Sequence, residues 1–218
     1  IINGGTYGSR FKKICDVYRI PNDTLDIEKC HKFDPQELDK YDNKGYTALL
    51  VNLHETSVGQ LYPILPIKDF CQRNNCLLMV DAISTFLCDE YKMDEWGIDV
   101  TIISSQKGLA LDPGLAMVII NEKTLGRINP HPMSLYFDFN IHNDYMSDFM
   151  TAFTPTIAIF HELEDMLHYI EQYKKENILK DNEEKAKIFR ENVKDLPVKK
   201  LDYPMSNALT PLFFDEDV

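Results

Sequence analysis

A chain of 218 residues with 44% apolar side chains can build one sizeable core, or one domain with an appendage. Its 23 Lys and Arg against 35 Asp and Glu leave a formal charge of −12, which argues against recruitment of nucleic acid or an anionic membrane by overall charge. No apolar run approaches the ~20 residues of a membrane span, and the five cysteines show no CxxC or Cys/His spacing of a zinc site, so reduced thiols in the cytoplasm and no bound metal are expected.

In chain order, Ile1-Ile2 reads as the end of a strand and Gly4-Gly5-Thr6-Tyr7-Gly8 as a tight turn into a helix over 10–18. The glycines invite a phosphate-loop reading, but the turn lacks the P-loop lysine and the dinucleotide spacing, so it is read as structural. Residues 24–30 alternate apolar and polar side chains, as a short strand does. Asp34-Pro35 is an N-cap followed by a first-turn proline, opening a helix through Tyr41. Ala48-Leu49-Leu50-Val51 is a buried strand, followed by a polar loop over 54–59 and a helix over 64–74. Strands follow at 77–80, 100–103 and 116–120. Strands alternating with helices at this spacing indicate an α/β fold with a mostly parallel mixed sheet flanked by helices.

From Thr156 the pattern changes. Ile157, Phe160, Leu163, Leu167 and Ile170 recur at spacings of three and four, so an amphipathic helix runs to about Lys175. A second, highly charged helix covers about 177–193, and 198–201 and 209–214 look like strands of another unit. The expected division is a large domain over 1–175 and, over 176–218, a linker helix with the start of a small C-terminal α+β domain. The chain opens on a strand without a methionine, and both domains read as incomplete, as in a fragment of a longer enzyme.

Two residues carry the chemistry. Asp81 follows Leu77-Leu78-Met79-Val80, at the carboxyl end of a buried strand where open α/β sheets bind ligands. The plain alternative is a turn aspartate. Lys107 follows the next strand through Ser104-Ser105-Gln106, with apolar Gly108-Leu109-Ala110-Leu111 after it. Most lysines are solvated surface charges; partial burial here would lower the pKa of this one and make it a usable nucleophile. The hydroxyls of Thr56 and Ser57 end another strand at the same sheet edge, where they could bond a ligand or simply shape a polar turn. His161-Glu162-Leu163-Glu164-Asp165 is not HExxH and reads as a solvated helix face.

The order NGGTYGSR, HETSVGQLYPI, VDAISTF, MDEWGIDVTIISSQKGL with PGLAMVII, and FTPT resembles class V aminotransferases of pyridoxal phosphate (PLP) fold type I, over nearly the whole chain. Within that family the segment over 134–139 ahead of Phe153-Thr154-Pro155-Thr156 is most similar to 2-aminoethylphosphonate–pyruvate aminotransferases, although Ser105-Gln106-Lys107 is as typical of alanine– and serine–glyoxylate enzymes. A cysteine desulfurase would need a reactive cysteine on a mobile loop, and no cysteine here lies in a glycine-rich one.

The resemblance implies PLP as cofactor and a role for each matching residue. Lys107 would link to the cofactor and shuttle a proton. Asp81 would keep the pyridine nitrogen protonated, and Ile83 would pack on the ring face. Thr56 would bond the phenolic oxygen and Gln106 the phosphate. Thr154 would reach the phosphate held by the other subunit of a homodimer with shared sites. The expected partners are a small-molecule amino donor and a 2-oxo acid acceptor, with phosphonate metabolism as the setting. The family's hydroxyl-rich phosphate segment and ring-stacking group are expected upstream of Ile1, and its substrate-carboxylate arginine beyond Val218. A non-catalytic α/β binding domain is the reading from another class, and the presence of both Asp81 and Lys107 weighs against it.

Overall fold

The computed structural model describes residues 1–214. Its centre is a four-stranded sheet in the order β3 (Ala48–Asn52), β6 (Leu77–Asp81), β7 (Val100–Ser104) and β8 (Ala116–Ile120). The first three strands are parallel and β8 runs antiparallel to β7, so the sheet is mixed, as expected. On one face of β6 Leu78 and Val80 are wholly buried; on the other Leu77 is buried while Met79 and Asp81 are half-buried. The helix α2 (Ile64–Arg73) connects β3 to β6 and turns Ile67, Phe70 and Cys71 into the core.

Two small sheets flank this one. β1 (Ile2–Asn3) pairs in parallel with β2 (Leu25–Asp26), and β4 (His54–Glu55) forms an antiparallel hairpin with β5 (Gln60–Leu61). Between β1 and β2 lies α1 (Gly8–Val17), and the short α3 (Glu122–Leu125) follows β8. The C-terminal part carries α4 (Phe139–Ser147), α5 (Ile157–Tyr173) and α6 (Lys175–Val193). Lys174, at φ 74°, breaks the chain between α5 and α6, where the sequence places the change of helix. Among the described residues no helix is long and apolar enough to cross a membrane, and no cysteine is paired.

Several local expectations are corrected. The strand over 24–30 shrinks to Leu25–Asp26, because the chain turns at Glu28, whose carbonyl accepts from the His31 amide, and Cys30 takes φ 62°. Pro35–Tyr41 is a 3-10 helix. The 54–59 loop is largely the β4–β5 hairpin. Residues 198–201 and 209–214 form no strand: one backbone bond, Lys199 N–H to the Phe213 carbonyl at 2.8 Å, joins them, Val198 N–H turns back to the Leu196 carbonyl, and nearby an isolated bridge joins Met205 to Gln60. A lone segment without a neighbouring strand cannot satisfy a ladder, whatever its pattern. α4 was not expected; its signal is Asp138, whose carboxylate accepts from the Asn140 amide at 2.9 Å as N-cap.

One buried carboxylate ties the N-terminal turn to the hairpin. Glu55, fully buried, accepts from the backbone N–H of Gly8 (2.8 Å) and Tyr7 (3.1 Å) and from the Ser57 hydroxyl (2.6 Å). It thereby supplies acceptors to the α1 N-terminus, which has no cap of its own. Gly5 is needed there, since a Cβ would fall 2.2 Å from Ser57 Oγ. Glu55→Ala is expected to cost about 3 kcal/mol or more, because it leaves buried N–H donors without an acceptor. Urea unfolding measures this, and a loss under 1 kcal/mol would refute the bracing role.

Candidate active site

The carboxyl ends of β3, β6 and β7 and the hairpin after β3 converge on one edge of the sheet. An open cleft of about 540 Å³ lies there, and its lining includes Tyr7, Thr56, Ser57, Ser84, Lys107 and Ala208. Its size is within the range of small-molecule sites. Of the residues singled out from sequence, Lys107 and Thr56 share this cleft. Asp81 does not line it; it ends β6 three residues before Ser84, which does, and it pairs in register with Ile102 of β7. Ile83 is half-buried, and its N–H donates to the Asp81 carboxylate at 2.9 Å. Gln106 is exposed beside Lys107 and accepts weakly from Ser105 Oγ at 3.4 Å. Thr154 is exposed before α5, outside this cleft.

Lys107 itself is exposed, which corrects the expectation of partial burial. The turn that holds it is nevertheless rigid. The Lys107 carbonyl accepts from Ala110 N–H at 2.8 Å, Ala110 takes φ 55°, and Ser105 Oγ donates to the Asp112 carbonyl at 2.7 Å. Gly108 packs so closely that a Cβ would lie 1.9 Å from the Phe86 carbonyl oxygen. Gly108→Ala must therefore push the turn and Lys107 with it. It is expected to cost about 1–3 kcal/mol of stability and to lower activity about 100-fold, since ångström-scale misplacement has that effect. Parallel thermal-melt and rate measurements check both parts.

The electrostatics point to a missing polar partner. Burial pushes the Asp81 carboxyl above its usual range, offset in part by the Ile83 N–H and the Asn52 amide, while Arg10 acts on it only through space. Burial also lowers the pKa of His54, so the ring is neutral at pH 7; its Nδ1–H donates to the Ser84 carbonyl at 3.3 Å and leaves Nε2 bare. His54 Nε2, Asn52 Oδ1 and Ser104 Oγ are buried without partners around these strand ends. Each such orphan costs about 1–3 kcal/mol, so the site is built for a polar ligand or ordered water. An amine at the cleft, a buried carboxylate favouring a cation, and a hydroxyl from Thr56 fit a flat heteroaromatic aldehyde with a protonatable ring nitrogen, as PLP is.

Tyr7 was missed from sequence as a site residue. It was absorbed into a turn read as structural, and no local signal set it apart. Its half-buried ring lines the cleft and lies under the Arg10 guanidinium, 5.2 Å away.

Comparison with known proteins adds five findings. The sequence profile of the aminotransferase class-V family matches residues 19–211. An uncharacterized aminotransferase of Methanocaldococcus jannaschii is 31% identical over 193 residues, covering 85% of this chain and 50% of that protein. A (S)-ureidoglycine–glyoxylate transaminase of Bacillus subtilis is 32% identical over 120 residues, 55% of this chain and 29% of that protein. A solved ureidoglycine–glyoxylate aminotransferase structure from the same organism superposes with a TM-score of 0.84 at 24% identity, over 91% of this chain and 53% of that one, which supports the fold. A bifunctional phosphonoacetaldehyde hydrolase/aminoethylphosphonate transaminase of Clostridioides difficile is 28% identical over 148 residues, 67% of this chain and 23% of that protein. The chain spans about half the length of the first of these relatives.

Proposed function

The chain belongs to the class V aminotransferases, a PLP-dependent family of fold type I, and from that membership we propose that the protein containing it transfers an amino group between a small-molecule donor and a 2-oxo acid. The observation that carries this reading is Lys107 and Thr56 lining one cleft beside a strand end where the half-buried Asp81 carboxyl is desolvated and, among the described residues, makes no ion pair.

PLP, when bound, supplies an aldehyde that takes up the amino group and a ring that withdraws electrons from the bond being broken. The remaining work falls to this chain. Lys107 Nζ would anchor the cofactor and would take and return the proton of the donor carbon. Asp81 would keep a proton on the ring nitrogen, and Ile83 and Tyr7 would pack against the ring. Thr56 donates to the phenolic oxygen and Gln106 to the phosphate. Thr154, exposed and outside the lining of this cleft, would serve the second site of a homodimer. Residues 1–175 form the cofactor domain and 176–218 begin the small domain, in a cytoplasmic enzyme.

Two donor–acceptor pairs have support. The 134–139 segment and the Clostridioides difficile relative favour 2-aminoethylphosphonate with pyruvate, giving phosphonoacetaldehyde and alanine. The Bacillus subtilis relative favours glyoxylate as acceptor, and Ser105-Gln106-Lys107 resembles the alanine– and serine–glyoxylate enzymes, which favours alanine or serine as donor. Assay of the full-length protein with 2-aminoethylphosphonate, serine and alanine against both acceptors separates them. Turnover of alanine and glyoxylate with indifference to the phosphonate overturns the first pair, and no transfer from any donor overturns the proposed activity.

A further inference from the structure

After α6 the chain returns to the cleft and is held there by a dense set of bonds. The Tyr203 hydroxyl donates to the Val58 carbonyl at 2.8 Å, and the Leu61 N–H donates to the Pro204 carbonyl at 2.8 Å. Met205 bridges Gln60 of the hairpin. Asp89, buried, then accepts from the Ser206 hydroxyl and from the Asn207 N–H at 2.8 Å. Ser206 Oγ accepts in turn from the Ala208 N–H at 3.0 Å, and Arg190 donates to the Ser206 carbonyl at 2.5 Å and to Thr210 Oγ1 at 3.0 Å.

This bracing has a visible result. Ser206 is wholly buried and Asn207 half-buried, while the two side chains after them, Ala208 and Leu209, stand exposed in the wall of the cleft that holds Lys107. They come from neither the strand ends nor the turn that presents Lys107. Neither carries a polar group, and the neighbouring Cys88 is neutral, its thiol pushed up to about 11 by burial. An apolar wall on a rigid backbone discriminates by volume.

We propose that residues 206–209 form the specificity wall of the cleft, with Ala208 and Leu209 limiting the length of the substituent on the amino-bearing carbon of the substrate and Asp89 acting as the positioning residue that fixes them. The substrate class it admits is amines and amino acids with a short substituent. This rests on the transamination reading above.

The test uses the full-length PLP-loaded protein and a series of alanine, 2-aminobutyrate and norvaline, since alanine belongs to both substrate pairs. kcat/KM for each donor is measured in the parent, Ala208→Gly and Ala208→Val. Glycine should narrow the preference for alanine over norvaline about tenfold, and valine should widen it about tenfold, the effect of a methylene or two in an apolar pocket. Borohydride labelling of Lys107 is measured alongside. If Lys107 is labelled in all three proteins and the preference stays within threefold of the parent, the wall is refuted while the transamination reading stands. If the parent shows neither label nor transfer, both fall.

Discussion

Lys107→Ala in the full-length protein is expected to lower transamination about 10⁴-fold, at the upper end of what a positioned acid–base contributes, because the same residue also anchors the cofactor. The measurement is the steady-state rate, together with mass spectrometry of peptides after borohydride treatment in the presence of PLP. The parent should carry a pyridoxyl group on Lys107 and the variant none. Since Lys107 is exposed and no hydrogen bond of its side chain holds the fold, stability should change by less than about 0.5 kcal/mol. That separates loss of chemistry from loss of structure. A variant within tenfold of the parent rate, or one labelled equally at another lysine, rules out the assignment.

Asp81→Asn is expected to split stability from function. Burial holds the Asp81 carboxyl above its ordinary value. Between the ordinary value, about 3.9, and the raised one, the folded chain keeps a proton that the unfolded chain has released. Stability therefore falls as pH rises through that window, and the loss persists above it. Asparagine has no such proton to hold. The cofactor-free variant should lack this pH dependence and be at least as stable as the parent at pH 7. Affinity for PLP should move the other way, weakening about 10²- to 10³-fold, because a buried cation on the ring loses its counter-charge. Melting curves from pH 4 to 8 and a PLP titration of the same samples give both readouts. A less stable apo-variant with unchanged cofactor affinity would reverse the assignment.

The two residues differ in how far sequence alone could place them. A carboxylate after four apolar residues reads as the end of a buried strand, so the position of Asp81 at the end of β6 was legible, while the half-burial of its side chain was not. The neighbourhood of Lys107 was legible as a strand end, but its exposure was not. Flanking apolar residues such as Leu109 turn inward and leave the lysine in the open, an outcome set by the Gly108–Phe86 contact across the chain. Tyr7 was hidden for a similar reason. Nothing local distinguishes an aromatic that packs from one that lines a cleft. The distinction comes from Glu55, 48 residues away, which holds the Tyr7 N–H. The C-terminal segment failed as strands because β-patterning states a preference and not a partner.

What the sequence by itself determined is the period of each segment, the strand ends at Asp81 and Lys107, and the order of motifs that marks the family. These depend on side-chain alternation and on chemistry carried by short runs. Only the tertiary structure decided that Glu55 braces the N-terminal turn, that Tyr7, Thr56 and Lys107 share one cleft with Ala208, and that Asp89 holds Ser206, 117 residues away in the chain. Those facts depend on which buried donors find acceptors far along the chain. Such pairings follow from packing, because a buried polar group is satisfied by whichever partner the fold brings within reach.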